Sequence, residues 1–261
     1  LNNIFNVDAP PSEDDSIRAM YNSDLFYHAG HINASFRHAY NYMWMRHMSY
    51  DVLKRMALCS MVNGNDAMAM KYLNLLDRTA FHRGFARRYK AILADPSAAA
   101  REFNARRGRL PTVEGYMRGH PAKPFLQLLE SKPNNRTAFD YLMAWILLDK
   151  STIGEIPRRI DQFQSAGYTS LPIHCQEALL LFERQRGESV DLRGFQYDAA
   201  TVARVEGFFR NASRLRGRED ATRQLEALYG DTSMFYYFFL GPPPGTRREA
   251  PRGFRGVSRD E

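Results

Sequence analysis

Long apolar runs are missing from this 261-residue sequence. The two longest, Met143 to Leu148 and Met234 to Leu240, fall far short of the roughly 20 residues that cross a bilayer, so no transmembrane helix is expected. Cysteine is scarce. Cys59 and Cys175 lie far apart, with no CxxC, which excludes a disulfide framework and predicts two buried free thiols. Phosphate-cradling loops are absent too: there is no GxxxxGK and no GxGxxG, and no strand to precede either. Neither HExxH nor GxSxG occurs, so the standard signatures of zinc and serine hydrolases are lacking. Alternating β-branched stretches are nearly absent, which argues against a sheet. What remains is an all-helical chain with no expected cofactor, metal site or catalytic motif, and an active site assembled from sequence-distant residues stays open.

Charge is the first thing present in excess. Thirty-six Lys and Arg stand against 29 Asp and Glu, a formal +7. Most of it is local, because Arg83 to Arg118 holds nine basic residues and three acids. Arg83, Arg87 and Lys90 share one helical face. Arg83, Arg87, Arg88, Arg106 and Arg107 form the candidate site for an anion or a partner, with a solvated helix face as the competing reading. Phe81, Phe85, Tyr89 and Phe103 sit at spacings that point inward rather than offering a platform for bases, so nucleic acid is not the expected partner.

Apolar residues recur at three- and four-residue spacing from Ile17 to about Leu240, broken every 12 to 20 positions by Gly, Asn, Pro or Ser. Residues 1–15 read as an extended lead-in ending at an Asp15 or Ser16 cap. Residues 16–240 read as one helical-repeat domain with an irregular basic insert at about 83–118. Residues 241–261 read as a disordered Pro- and Arg-rich tail. The spacing predicts a helix from Ser49 carrying Leu53, Met56, Ala57 and Met61, an Asn63-Gly64-Asn65 turn, and a second helix over Asp66 to Leu76. Helices joined this tightly are antiparallel neighbours. After Gly187 a nonhelical stretch runs to Asp198, and helices then follow through Val202 to Ala212, Glu219 to Tyr229 and Met234 to Leu240.

The same pair recurs. Asn134 or Asn135 caps a helix with Phe139, Leu142, Met143 and Ile146, followed by one with Ile156, Ile160 and Phe163. A shift of 87 residues places Met61 on Leu148, Ala69 on Ile156, Leu73 on Ile160 and Leu76 on Phe163. A further shift of 34 places Tyr141 on Cys175, Ala144 on Ala178 and Leu147 on Leu181. That period is typical of tetratricopeptide helix pairs, so the expected fold is all-α, with antiparallel helix pairs stacked as a degenerate TPR-like α-solenoid. An irregular helical bundle is the alternative.

Six of the seven histidines lie at or before residue 120. His28 and His31 could chelate a metal from one face, but Gly30 suggests a turn between them and nothing completes a set of four ligands. His31, Arg37, Tyr40 and Trp44 form a candidate ligand groove. The competing expectation puts the run Tyr40, Tyr42, Met43, Trp44, Met45 and Met48 in the core.

From Leu53 the chain reads LKRMALCSMVNGNDAMAMKYLNLLDRTAFHRGFA, at 133 to 150 PNNRTAFDYLMAWILLDK, and at 235 to 241 FYYFFLG. Through most of residues 20–240 it resembles the soluble C-terminal part of a Bacteroidetes membrane-protein family of unknown function. In that family a multi-helix membrane portion precedes a TPR-like region. The resemblance implies a membrane-associated parent, with this domain on an undetermined side, and would account for a start on Leu1. It supplies no catalytic residue.

The expected function is therefore noncatalytic: a helical-repeat domain that binds another protein, or the membrane portion of its own chain, and organises a complex next to a membrane. One alternative is an accessory region of a membrane-embedded transferase or hydrolase acting on envelope glycans. Another is a polyanion-binding module, for which a membrane surface is the natural partner.

Overall fold

The computed structural model describes residues 13–112, 122–215 and 218–240. The tail at 241–261, most of the lead-in and the end of the basic segment lie outside them. Among the described residues there are 13 α-helices and no strand, so the chain is all-α. No described helix is long and apolar enough to cross a membrane. The chain divides into two compact units, Leu1–Ala138 and Phe139–Glu261, where the spacing reads as one helical-repeat domain over 16–240.

In the first unit α1 (Glu13–Ala29), α2 (Ile32–Arg46), α3 (Tyr50–Val62), α4 (Asp66–Asp77) and α5 (Arg83–Ala94) each pack on the helix before and after. Helix α1 starts at Glu13 and runs through Asp15 and Ser16, the two expected caps; Ser16 is buried and accepts from Arg46 Nε at 2.9 Å. Helices α1 and α2 approach closely through small residues. Ser23 Oγ donates to the Ser35 carbonyl at 2.9 Å, Ser35 Oγ donates back to the Ser23 carbonyl at 2.7 Å, and Ala19 and Ala39 are buried beside them. The turn between these helices requires Gly30, which has φ +98°, and whose missing Cβ would lie 3.0 Å from that of Arg109.

Helices α3 and α4 form as the sequence predicts. Ser49 accepts from the Val52 amide and Asn65 from the Met68 amide, each capping its helix, while Gly64 takes φ +72° in the turn. Leu53, Ala57, Cys59, Met61, Ala69, Leu73 and Leu76 are all buried in the main core of this unit. The basic segment is helical where it is described, as a basic helix followed by one through Ala98, Ala99 and Ala100. It forms α5 and α6 (Pro96–Arg107), with Asp95 capping α6 and Pro96 at its first turn. Helix α6 folds back to pack on α3 as well as α5 and buries Phe103. Helix α7 (Lys123–Ser131) closes the unit, with Phe125 and Gln127 buried near Phe26 and His31.

Helix α8 (Arg136–Leu148) is capped by Asn135 at the end of the first unit and continues from Phe139 into the second, where it buries Phe139, Leu142, Met143 and Ile146. The single helix expected through Ile156, Ile160 and Phe163 is instead two 3₁₀ segments, Lys150–Glu155 and Pro157–Arg159, and a short α9 (Ile160–Ser165). Proline has no amide hydrogen to donate at 157, and Gly154 just before it weakens a regular helix. The three apolar side chains are nonetheless fully buried, and Phe139 meets Phe163 edge to face at 4.7 Å. Helices α10 (Ile173–Arg186), α11 (Ala199–Ala212), α12 (Arg218–Tyr229) and α13 (Ser233–Phe239) complete the unit. Gly187 at φ +72° ends α10 and Asp198 caps α11, as the breaks at those residues predict.

Burial corrects the repeat register. The 87-residue shift holds for Ala69, Leu73 and Leu76, whose counterparts Ile156, Ile160 and Phe163 are buried, but it places buried Met61 on exposed Leu148. A shift of 86 residues, read from the numbering, maps the buried Val52, Leu53, Met56, Ala57 and Ser60 of α3 onto Ala138, Phe139, Leu142, Met143 and Ile146 of α8, all buried. The connection after α8 is thus one residue longer than the one after α3. The 34-residue shift fails, because exposed Ala144 falls on buried Ala178.

Candidate functional site

The five candidate arginines do not converge. Arg83 Nε donates to the Asp77 carbonyl at 3.2 Å, and the Asp77 carboxylate faces Lys90 at 2.8 Å and Arg87 at 3.8 Å. The hydrogen bond from Lys90, more than the surrounding positive charge, holds that carboxyl below its ordinary range. Arg88 turns to Glu102 at 3.7 Å. Arg106 stands over the Tyr27 ring, 4.4 Å from its centroid. Arg107 donates to the Met61 and Val62 carbonyls at 2.9 and 3.1 Å, satisfying the end of α3. These residues fall into separate places, so a single face for a polyanion is not assembled.

The candidate groove also separates. His31 is buried at the start of α2, where Nε2 lies 3.4 Å from Gln127 Oε1. Arg37, Tyr40 and Trp44, at spacings of three and four, lie on the opposite, exposed face of α2. The aromatic and methionine run divides: Tyr42 and Met43 pack against the buried Ala39, Val52 and Met56, while Trp44 is 71% exposed and Met48 58%. Phe81 departs furthest from its expected inward direction, at 96% exposed. Exposed Tyr50 stacks on His82 with ring centroids 4.4 Å apart, which places the Phe81-His82 turn beside the start of α3. Between Trp44 and Met48, His47 takes φ +67° and ψ 176°, a region essentially reserved for glycine, at a cost of about 1 to 3 kcal/mol. An exposed aromatic face thus adjoins a strained junction, and interface anchors are drawn from these residue types.

Residues with catalytic chemistry are otherwise engaged. Ser233, His174 and Glu177 meet where α10 and α13 pack, with His174 Nδ1 and Glu177 Oε2 3.2 Å apart. The same carboxylate oxygen accepts from the Ser233 amide at 2.8 Å, and Ser233 Oγ donates to the His174 carbonyl. A nucleophilic serine belongs across the imidazole from its carboxylate, whereas here the serine sits beside the carboxylate, so Glu177 anchors the start of α13. Burial pushes the Cys59 thiol up to about 11 and that of Cys175 to about 12, leaving both protonated and unreactive. Among the described residues no group of three metal-ligating side chains forms, and the Gly30 turn separates His28 from His31 as expected. A cavity of about 340 Å³ in the second unit is rimmed by Arg158, Arg193, Asp161 and Asp191; Arg193 pairs with both aspartates, and Arg158 with Glu155.

Sequence reasoning missed one cluster. Arg55 of α3 packs over Tyr27 of α1, 4.2 Å from its centroid, and ion-pairs with Asp24, while Arg106 reaches the same ring. No local spacing links positions 24, 27, 55 and 106, so only the tertiary fold brings them together.

Compared with known proteins, residues 7–240 match the family described as "Family of unknown function (DUF6057)". No curated protein and no solved structure matches the chain.

Proposed function

The chain belongs to DUF6057, a family of unknown function, and from that premise we propose that it is a noncatalytic helical-repeat domain that binds a partner protein beside a membrane. The observation that carries this reading is the exposed face of α2, where Tyr40 and Trp44 stand in solvent next to the strained His47. Trp and Tyr give large contact area with little entropy to lose, and they dominate interface energetics. The serines, cysteines and carboxylates that could do chemistry are buried or engaged in packing, which favours binding over catalysis.

The degenerate TPR-like stack belongs to the same proposal. It is supported by the recurrence of the α3 burial pattern in α8 and by the consecutive packing of α1 to α5. Since α6 lies against α3 and reaches Tyr27 of α1, the faces of these two helices are partly filled by the chain itself. The open face is that of α2. A membrane-associated parent rests on the resemblance to the Bacteroidetes membrane-protein family, and the partner would then be another envelope protein or the membrane portion of the same chain.

Placing a photo-crosslinking amino acid at position 44 in cells tests this. We expect a discrete heavier adduct, absent when the probe is moved to exposed position 188. A chain that crosslinks equally, or not at all, from both positions would remove α2 as the docking face.

A further inference from the structure

Phe81, in the turn after α4, is 96% exposed, so the ring forgoes the burial that most phenylalanine side chains gain. A single exposed ring would need no explanation, but this one has neighbours. His82 meets Tyr50 with ring centroids 4.4 Å apart, and Lys54 of α3 stands over the Phe85 ring of α5, 6.0 Å from its centroid. These two contacts hold the turn between α4 and α5 against the start of α3, where Met48 and Tyr50 are exposed as well. Three large apolar side chains are thus presented to solvent from one end of α3 and the turn beside it.

The charge around them has one sign. Residues 45–50 and 78–88 hold five arginines and two histidines and no acid. Arg46 donates to Ser16 and Arg88 turns to Glu102, which leaves Arg78, Arg83 and Arg87 nearest to Phe81 along the chain, all three exposed. The flanking acids are already answered: Asp51 faces Lys54 at 3.1 Å, and Asp77 faces Lys90 at 2.8 Å and Arg87 at 3.8 Å. Exposed apolar side chains flanked by arginines match the negatively charged interface of a bilayer, where rings sit at headgroup depth and guanidinium groups reach the phosphates. A projecting side chain that anchors a protein interface needs a fitted pocket on the partner, whereas a fluid interface admits it without one.

We propose that Met48, Tyr50 and Phe81, with Arg78 and Arg83, form a docking surface for an anionic lipid membrane. The apolar side chains enter the headgroup region and the arginines hold its phosphates, so binding has an apolar part and a salt-sensitive part. Arg83 acts here beside Arg78, which lies outside the basic segment. Tyr40 and Trp44 take no part, so this surface stands or falls separately from the docking face on α2.

The full chain should be sedimented with vesicles of phosphatidylcholine alone and of phosphatidylcholine with phosphatidylglycerol. We expect it to partition onto the anionic vesicles only, and less so as salt rises. Phe81→Ser should weaken that partitioning about tenfold. Arg78→Gln and Arg83→Gln should each weaken it about fivefold. All three side chains are exposed, so the melting temperature should stay where it is in every variant. No partitioning, equal partitioning onto both kinds of vesicle, or binding that survives Phe81→Ser would overturn the proposal. Insertion is read from Phe81→Cys carrying an environment-sensitive dye, because Cys59 and Cys175 are buried and escape labelling. The dye should report an apolar setting on anionic vesicles only, while the same dye at exposed position 188 reports water throughout. A dye at 81 that is shielded before any vesicle is added would show that another part of the chain, or a second copy, covers the ring, and would overturn the lipid assignment.

Discussion

Asn135 Nδ2 donates to the Ala29 carbonyl at 2.9 Å while its Oδ1 accepts from the Ala138 amide at 3.2 Å. One buried side chain thus satisfies the last residue of α1 and caps the start of α8. Both ends of the amide are used. Asn135→Ala should cost about 1 kcal/mol for the lost cap and a further 1 to 3 kcal/mol for the orphaned carbonyl. Asn135→Asp keeps the acceptor but loses the donor, and should recover only the cap. Urea titrations of the three proteins check this, and equal stability of the two variants would contradict it.

Arg107 provides the second expectation, because it is a structural cap rather than a ligand for anions. Arg107→Gln removes charge-assisted bonds to the two carbonyls at the end of α3 and should destabilise by about 1.5 to 3 kcal/mol. Arg83→Gln and Arg87→Gln touch only exposed pairs around Asp77 and should stay within about 0.5 kcal/mol of the parent. If all three behaved alike, the distinction between capping and solvated arginines would fail.

Much of the fold was legible because its signals are local. Ser49, Gly64 and Asn65 each act on a neighbour within a few residues, and the pattern from Val52 to Leu76 needs no other part of the chain to be read. The outer face of α2 was not legible. Apolar spacing says that Tyr40 and Trp44 share a face, but only the position of α3 and α4 decides that this face meets water while Ala39 meets the core. The broken helix before α9 lay within reach, since Gly154 and Pro157 stand in plain view; the strong spacing of Ile156, Ile160 and Phe163 masked them. The Tyr27 cluster joins three helices, and no spacing within one helix announces it.

Ala69 tests the close approach of α3 and α4. It is fully buried one turn after the Gly64 turn, among Leu53, Met61 and Leu73 of the same core. Ala69→Leu inserts a branched side chain where no space is left and should destabilise by about 1 to 3 kcal/mol, whereas Ala69→Gly should cost about 1 kcal/mol through backbone entropy. A thermal melt of Ala69→Leu that matches the parent would mean that the helices can separate without penalty.

Acid should unfold the first unit before its carboxylates protonate. His38 is stacked on Phe26 with centroids 5.3 Å apart, and its Nδ1 is buried without a partner. Burial first, and the charge of Arg37 second, push it down to about 4 from an ordinary 6.5. His31, whose Nδ1 is also buried and unpartnered, is shifted in the same direction, mainly by burial. The unfolded chain therefore binds protons that the folded chain refuses. Stability is flat above about pH 6.5 and falls as the pH drops from there toward 4, by up to roughly 3 kcal/mol for His38 alone. Asp77 acts in a different window: its carboxyl is held below 3.8, so the stability it contributes is lost only at still lower pH. Replacing His38 with Phe, which keeps the ring stack and removes the titrating group, should flatten the slope between pH 6.5 and 4 and leave the more acidic limb unchanged. Urea midpoints measured across that range decide the matter, and a His38→Phe profile parallel to the parent would place the acid sensitivity elsewhere.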